Sequence, residues 1–341
     1  MIVVSDWQKA LIRWFRRHGK SYPWRETKDP YKILVSELML QQTRIRTVLD
    51  KRFYENWLEK FPDIETLARA DESEVLKAWE GLGYYNRARN LQKAAREIVE
   101  KHHGKFPEKH EQVLNLPGVG PYTAGAVCSF AYDMPLPIVD GNVVRVLSRV
   151  LQYKKPVDTS AGRKTLWQEA ERLTCQSSPA DYNSAIMELG QQICLKGTPK
   201  CGQCPVSSFC GSKDSPDAAA LPQKSKPVPV TRKTEEVALL LCEGRVLLTT
   251  ETGSRRKGLL RLPLLEEIDA NDLELIGQIT YSITRYQVEM RIFGNPYYKK
   301  FQKRTHFATG EWFDLTEELP ALGAPYLKAI EQFTESKSGN L

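Results

Sequence analysis

The chain has 341 residues, 41% of them hydrophobic and 27% charged, with a formal net charge of +7. This is the composition of a soluble globular protein with apolar material for two domains, and the positive balance suits a polyanionic partner. No apolar stretch approaches membrane-spanning length and the start, MIVVSDWQKALIRWFRR, lacks a secretory pattern. The expectation is therefore a cytoplasmic protein (nucleoid-associated in a bacterium) with no membrane partner. Seven cysteines, an odd total in a chain with no export signal, argue against a disulfide framework.

In chain order, residues 5–210 read mostly as helix. LIRWFRRHG, PYKILVSELMLQQ, RTVLDKRFYENWLEKF, DESEVLKAWEGLG, RNLQKAAREIVEKHHG and KHEQVLNL carry apolar residues three and four apart. Gly83, Gly104, Pro107 and Pro117 punctuate them. Residues 211–233 turn Pro-, Lys- and Ser-rich and lose any period, which marks a linker. Beyond it, VALLLCEGRVLLTTE reads as strand, Gly turn, strand; TYSITRYQVEMRIFG reads as strand; YLKAIEQFTES reads as a closing helix. The fold class is a mainly α N-terminal domain followed by an α+β C-terminal domain.

Several local patterns carry chemistry. Cys194, Cys201, Cys204 and Cys210 fall within seventeen residues with spacings of six, two and five. Thiolates so grouped suit either zinc or an iron–sulfur cluster. Cys128, Cys175 and Cys242 read as isolated thiols. Leu116-Pro117-Gly118-Val119-Gly120 lies between two helical segments. Its glycines permit a tight reversal with positive φ and let backbone N–H groups approach a phosphate at the next helix N-terminus, although the same pattern also serves as a plain connector. Asp140, taken alone, caps a helix over 142–152. Glu37 stands in an otherwise apolar helical run, where desolvation favours the protonated acid; the plainer alternative is a helix glutamate paired with a lysine such as Lys32.

Taken together, the cysteine spacing, NLPGVGPYTAGAV, Ile138-Val139-Asp140-Gly141-Asn142-Val143-Val144-Arg145 and GLGYYNRARN resemble the iron–sulfur helix-hairpin-helix DNA glycosylases. SELMLQQT, around Glu37, resembles the MutY-type A/G-specific adenine DNA glycosylases. The resemblance implies a helix-hairpin-helix domain over 1–213, a linker over 214–233 and a Nudix-like lesion-recognition domain over 234–336. Glu37 would then protonate adenine, and Asp140 would stabilise the positive charge on the sugar. Tyr122 stands where strand-cleaving relatives place a lysine. A phenol forms no Schiff base, so the expectation is a monofunctional glycosylase, with Asn142 as a polar neighbour in the site. Cys194, Cys201, Cys204 and Cys210 would hold a [4Fe–4S] cluster, with Lys196 and Lys200 beside it to meet phosphates. Gly118 and Gly120 would grip one DNA strand. Gln42 and Tyr84 would enter the gap left by the flipped base, with Leu82 assisting. Trp24, Arg25, Ile45 and Met187 would line the adenine pocket. Ser184 departs from the glutamine or glutamate usual there.

In the C-terminal domain no Nudix hydrolase box is present. The lesion-reading loop falls on Ser282-Ile283-Thr284-Arg285-Tyr286, where Ile-Thr-Arg replaces the family's Phe-Ser-His. Thr284 keeps a hydroxyl and Arg285 a strong donor for a guanine edge. Lys299-Lys300-Phe301-Gln302-Lys303-Arg304 adds a basic run. The implied partner is double-stranded DNA containing A·8-oxoguanine or A·G mispairs, bound by a monomer. The alternatives are a related mismatch or oxidised-pyrimidine glycosylase of the endonuclease III superfamily, or an iron–sulfur DNA-binding module without catalysis.

Overall fold

The computed structural model describes residues 2–213, 215–226, 229–253, 256–268, 273–294 and 310–335; the basic run at 299–304 lies outside them. The chain divides into two compact units. The first comprises residues 1–68 and 90–227, and the second residues 69–89 and 228–341. The helices in chain order are α1 (Val4–His18), α2 (Pro30–Met39), α3 (Ile45–Asp50), α4 (Phe53–Lys60), α5 (Ile64–Arg69), α6 (Glu72–Ala78), α7 (Asn86–His102), α8 (His110–Leu114), α9 (Pro121–Tyr132), α10 (Gly141–Val150), α11 (Ser160–Leu173), α12 (Pro179–Gln192) and α13 (Ala324–Glu335). Among the described residues, none is long and apolar enough to cross a membrane.

The first unit is helical. Its helices start where the sequence supplies caps. Asp29 accepts from the amides of Tyr31 (2.9 Å) and Lys32 ahead of α2, and Thr159 accepts from Gly162 ahead of α11. Trp7 and Leu11 of α1 bury against Leu147, Leu166, Tyr182 and Leu189, so α1, α10, α11 and α12 share one core. The Trp7 indole N–H donates to Tyr182 Oη at 3.1 Å, which satisfies both buried polar atoms. Helix α12 packs against both α1 and α9, and α2 packs on α9. The helical pattern over 46–61 does not run through. Arg52 adopts φ +52°, and this left-handed residue separates α3 from α4.

The second unit is α+β. Strands β1 (Thr231–Leu239), β6 (Tyr286–Gly294) and β5 (Glu274–Ile283) form one sheet, with β1 parallel to β6 and β5–β6 an antiparallel hairpin. Strand β3 (Arg245–Thr250) pairs antiparallel with β2 (Leu241–Cys242), β4 (Leu260–Arg261) and β7 (Glu311–Asp314). Val237 and Leu239 enter a core with Met290, Ile292, Tyr326 and Ile330 of α13. Ala238 and Leu240 point the other way, towards Leu247 and Trp312. Both faces of β1's end are thus covered, which is why VALLLC is a continuous apolar run. The sheet begins inside the stretch expected as linker: Thr231, Arg232 and Lys233 already pair with Tyr286, Gln287 and Val288. Hydrogen bonds explain why 69–89 joins this unit. Tyr85 Oη donates to the Leu322 carbonyl (3.1 Å), and the Leu322 amide donates to Glu80 Oε1 (2.9 Å).

Candidate active site

Glu37 lies on α2 among Ile33, Leu34, Val35, Leu38 and Met39 and is 5% exposed. A carboxylate so desolvated binds its proton tightly, and the nearby negative charge of Asp140 acts in the same direction. The Tyr122 hydroxyl donates to the Glu37 carboxylate and the Arg25 charge favours ionisation, but burial dominates and the pKa rises to about 7. Its hydrogen-bond partner is Tyr122, not Lys32.

Gly120 caps α9 and Pro121 opens it, which places Tyr122 in the first turn, against α2. Asp140 is the N-cap of α10: Oδ1 accepts from the Val143 amide at 2.7 Å and Oδ2 from Asn142 Nδ2 at 2.9 Å. Burial raises the Asp140 pKa, while these hydrogen bonds and the Arg145 charge oppose the rise. The cap and the candidate catalytic carboxylate are therefore the same group. Asn142 faces Asp140 and also accepts from Arg145 Nη2 at 2.9 Å. Arg145 in turn donates to the carbonyls of Gly190 (2.6 Å) and Cys194 (2.7 Å). Arg145 closes the motif quoted from the sequence, which assigned it no role; the structure shows that it ties Asn142 to α12 and the cysteine loop.

A cavity of about 220 Å³ opens beside Glu37. Trp24, Arg25, Ile45 and Met187 all line it, as expected for a base pocket, and so do Ser36, Ser184 and Gln191. Trp24 is stacked on Tyr22 at 5.2 Å and meets the edge of Tyr54. Gln191, seven residues after Ser184 on α12, was missed by the sequence reading; its spacing of seven places it on the same helical face.

The hairpin glycines differ. Gly118 has φ +77°, and a Cβ there would come 2.5 Å from Asn90 Cβ, so only glycine fits. Gly120 has φ −99°, contrary to the expectation of two positive-φ glycines. A side chain at Gly120 would meet no neighbour, so its conformation does not demand glycine. Gln42, at the end of α2, is exposed with φ +59°. In the second unit Tyr84 has φ +50° and is 48% exposed, a rare presentation for a large aromatic side chain. Leu82, by contrast, is buried, at 6% exposure. Thr284 and Arg285 are both exposed at the tip of the β5–β6 hairpin, which Ile283 and Tyr286 close as a pair. Thr284 has φ +54°, unfavourable for a β-branched residue.

Cys194, Cys201, Cys204 and Cys210 line one pocket together with Val146, Val150, Leu189 and Ile193. Among the described residues no three or more such ligands are gathered as they would be round a single ion. Arg149, fully buried, holds the loop: it donates to the carbonyls of Leu195 (2.7 Å), Gly197 (2.9 Å) and Ala218 (2.7 Å), and Nη1 stands 3.3 Å from Cys194 Sγ. Lys196 and Lys200 are exposed beside it. Cys128 and Cys175 are buried away from this pocket.

The profile of the HhH-GPD superfamily base excision DNA repair proteins matches residues 35–172. The chain is 41% identical over 216 residues to an adenine DNA glycosylase of Rattus norvegicus, covering 61% of this chain and 42% of that protein. It is 39% identical over 205 residues to an adenine DNA glycosylase of Buchnera aphidicola subsp. Baizongia pistaciae, covering 60% and 57%. The chain thus spans about half the length of these curated relatives. A thermostable thymine-DNA glycosylase structure superposes with a TM-score of 0.57 and 30% identity, covering 62% of this chain and 96% of that one. An endonuclease III–DNA complex, 21% identical with a TM-score of 0.52, shares the fold. This chain belongs to the HhH-GPD superfamily of base excision DNA repair proteins.

Proposed function

We propose that this chain is a monofunctional adenine DNA glycosylase acting on adenine opposite 8-oxoguanine or guanine in duplex DNA. The observation that carries the reading is a buried carboxyl, Glu37, held near neutrality and hydrogen-bonded to Tyr122, in one site with a second carboxylate, Asp140. A buried carboxyl that keeps its proton suits a general acid, and a second carboxyl held by the Val143 amide and Asn142 suits an electrostatic stabiliser.

With an adenine in the pocket, Glu37 protonates it at N7. The C1′–N9 bond then breaks, and the electron pair leaves with the base. Positive charge develops on the sugar, and Asp140, held by Val143 and Asn142, stabilises it. Water adds at C1′ and releases a proton, which leaves an abasic site. Tyr122 orients the Glu37 carboxyl; having no amine, it forms no covalent link to the sugar, so the strand stays intact. Thr284 and Arg285 supply a hydroxyl and a guanidinium for the opposite guanine.

Cys194, Cys201, Cys204 and Cys210 would hold a [4Fe–4S] cluster. The fit rests on four thiols round one pocket and on a guanidinium beside Cys194, which suits thiolate charge. Such a cluster supplies a structural clamp for the loop carrying Lys196 and Lys200, and no step of base release passes through it.

The test is base release under single-turnover conditions from A·8-oxoguanine, A·G, A·C, G·T and oxidised-pyrimidine duplexes, with borohydride trapping for strand-cleavage activity. Adenine release lost in Glu37→Gln, with no trapped adduct, is expected. Release of a pyrimidine, or equal rates for Glu37→Gln and the parent, refutes the proposal.

A further inference from the structure

Arg25 presents a problem that the proposed chemistry does not solve. Its guanidinium lines the same cavity as Glu37, and its charge favours the ionised form of that carboxyl, the form unable to donate a proton. The structure shows a counterweight. Glu188 of α12, at 0% side-chain exposure, sets Oε2 2.7 Å from Arg25 Nη1. Oε2 accepts no aligned hydrogen bond, so the contact is one of charge. Oε1 accepts from Gln192 Nε2, whose amide also reaches the His18 carbonyl, and this fixes the Glu188 carboxylate. The guanidinium lies over the rings of Tyr22 (4.8 Å) and Phe15 (5.3 Å), and Nη1 donates to the Lys20 carbonyl at 2.8 Å.

The other charged groups about the cavity are already matched. Lys28 pairs with Asp133 at 3.1 Å and Asp181 with Arg16 at 2.7 Å. The groups that act on Glu37 itself are Tyr122 of α9, Asp140 at the start of α10, and Arg25. From α4, which also packs on α2, Tyr54 meets Trp24. Arg25 is thus the one cation acting on Glu37 among the described residues, and Glu188 is the anion that neutralises it. A buried ion pair is a weak source of stability, so its presence beside the reacting group calls for another account.

We propose that Glu188 is a positioning residue for Glu37: by drawing the Arg25 guanidinium to its own side of the pocket and offsetting its charge, it keeps the Glu37 carboxyl proton-bearing. The inference rests on the reading of Glu37 as the general acid, but its physical core concerns only the titration of Glu37 in the free protein.

The experiment follows the Glu37 carboxyl by 13C NMR of Glu-labelled, DNA-free protein, assigned by its absence in Glu37→Gln, alongside single-turnover adenine release across pH. Glu188→Gln leaves the Arg25 charge uncompensated, so the Glu37 midpoint falls. A one-unit fall takes the protonated fraction at pH 7 from about a half to about a tenth, a roughly five-fold loss of rate, with the alkaline limb of the profile moved to lower pH. Glu188→Asp keeps the charge and restores the midpoint. A structural role alone would lower the rate evenly at every pH. Should Glu188→Gln not fold, the double variant Arg25→Gln, Glu188→Gln removes both charges and carries the test: with no guanidinium left to offset, the loss of Glu188 no longer lowers the midpoint, which stays at or above that of the parent. An unmoved NMR midpoint in Glu188→Gln, or a lowered one in the double variant, overturns the proposal. A moved midpoint without any adenine release upholds it and instead overturns the assigned reaction.

Discussion

Gly190→Ala tests whether the Asp140 site depends on close helix packing. Gly190, on α12, lies where α12 passes α10. A Cβ added there would stand 2.6 Å from Asn142 Cβ and 3.3 Å from its Cα and carbonyl oxygen. Ordinary carbon–carbon contact needs about 3.5–4.0 Å, so α10 and α12 must separate by roughly 1 Å at this point. Two contacts of the candidate site feel that movement. Asn142 Nδ2 donates to Asp140 Oδ2 at 2.9 Å, and the Gly190 carbonyl accepts from Arg145 Nη2 at 2.6 Å. Overpacking of this kind costs about 1–3 kcal/mol, which for a unit of this size lowers Tm by about 2–12 °C. A misplacement near 1 Å costs up to about 10²-fold in rate. Chemical denaturation and single-turnover base release measure the two effects separately. A Gly190→Ala protein with parental stability and a rate within two-fold of the parent would refute the packing argument.

Four further outcomes are expected. Glu37 binds its proton more tightly folded, at about 7, than unfolded, so between the usual carboxylate range and pH 7 the native state holds a proton that the unfolded chain lacks. Stability therefore declines as pH rises through that window and stays lost above it. Glu37→Gln removes the penalty; denaturant titration should show it more stable than the parent at pH 8 by on the order of 2–3 kcal/mol and equal to it near pH 4, while base release, about 10²–10⁴-fold slower, no longer falls above pH 7. Thr284→Asn relieves a left-handed β-branched residue and is expected to gain about 1 kcal/mol in denaturant titrations, and replacing Ile283-Thr284-Arg285 by Phe-Ser-His is expected to widen the rate ratio of A·8-oxoguanine over A·G; a loss of stability in the first or an unchanged ratio in the second argues against the hairpin tip as described. Cys201→Ser is expected to abolish iron and acid-labile sulfide in the purified protein, and parental iron content would remove that thiol from the ligand set.

What was legible in the sequence was local. The cysteine spacing, the hairpin glycines and the apolar run around Glu37 are short segments whose pattern alone states a geometry. Trp24, Arg25, Ile45 and Met187 come from three different elements and meet Glu37 only in the folded cavity. What stayed hidden depends on partners far along the chain. Arg149 looks like one more helix arginine until Leu195, Gly197 and Ala218 surround its guanidinium. Glu188 looks like a surface acid until Arg25, over 160 residues earlier, meets it. Gly120 and Leu82 were misjudged for a related reason: a motif names the residue but not its φ or the side on which it is buried. The early start of β1 at Thr231 followed from pairing with Tyr286, which a Lys-rich composition does not disclose.

The N-cap of α10 has a wider consequence. An aspartate that closes a helix and an aspartate that meets a cation make different demands on one side chain. Asparagine satisfies the first as well as aspartate does and fails the second entirely. Folding and turnover can therefore be largely separated at residue 140, where only the contact of the second oxygen with Asn142 changes along with the charge. Asp140→Asn should retain α10, the Val143 amide contact and the grip on substrate while losing the charge that lets the bond break. Asp140→Ala, by contrast, loses both together. If the proposed reaction holds, this chain carries within one codon the means to become an inert placeholder, bound to its substrate and unable to finish.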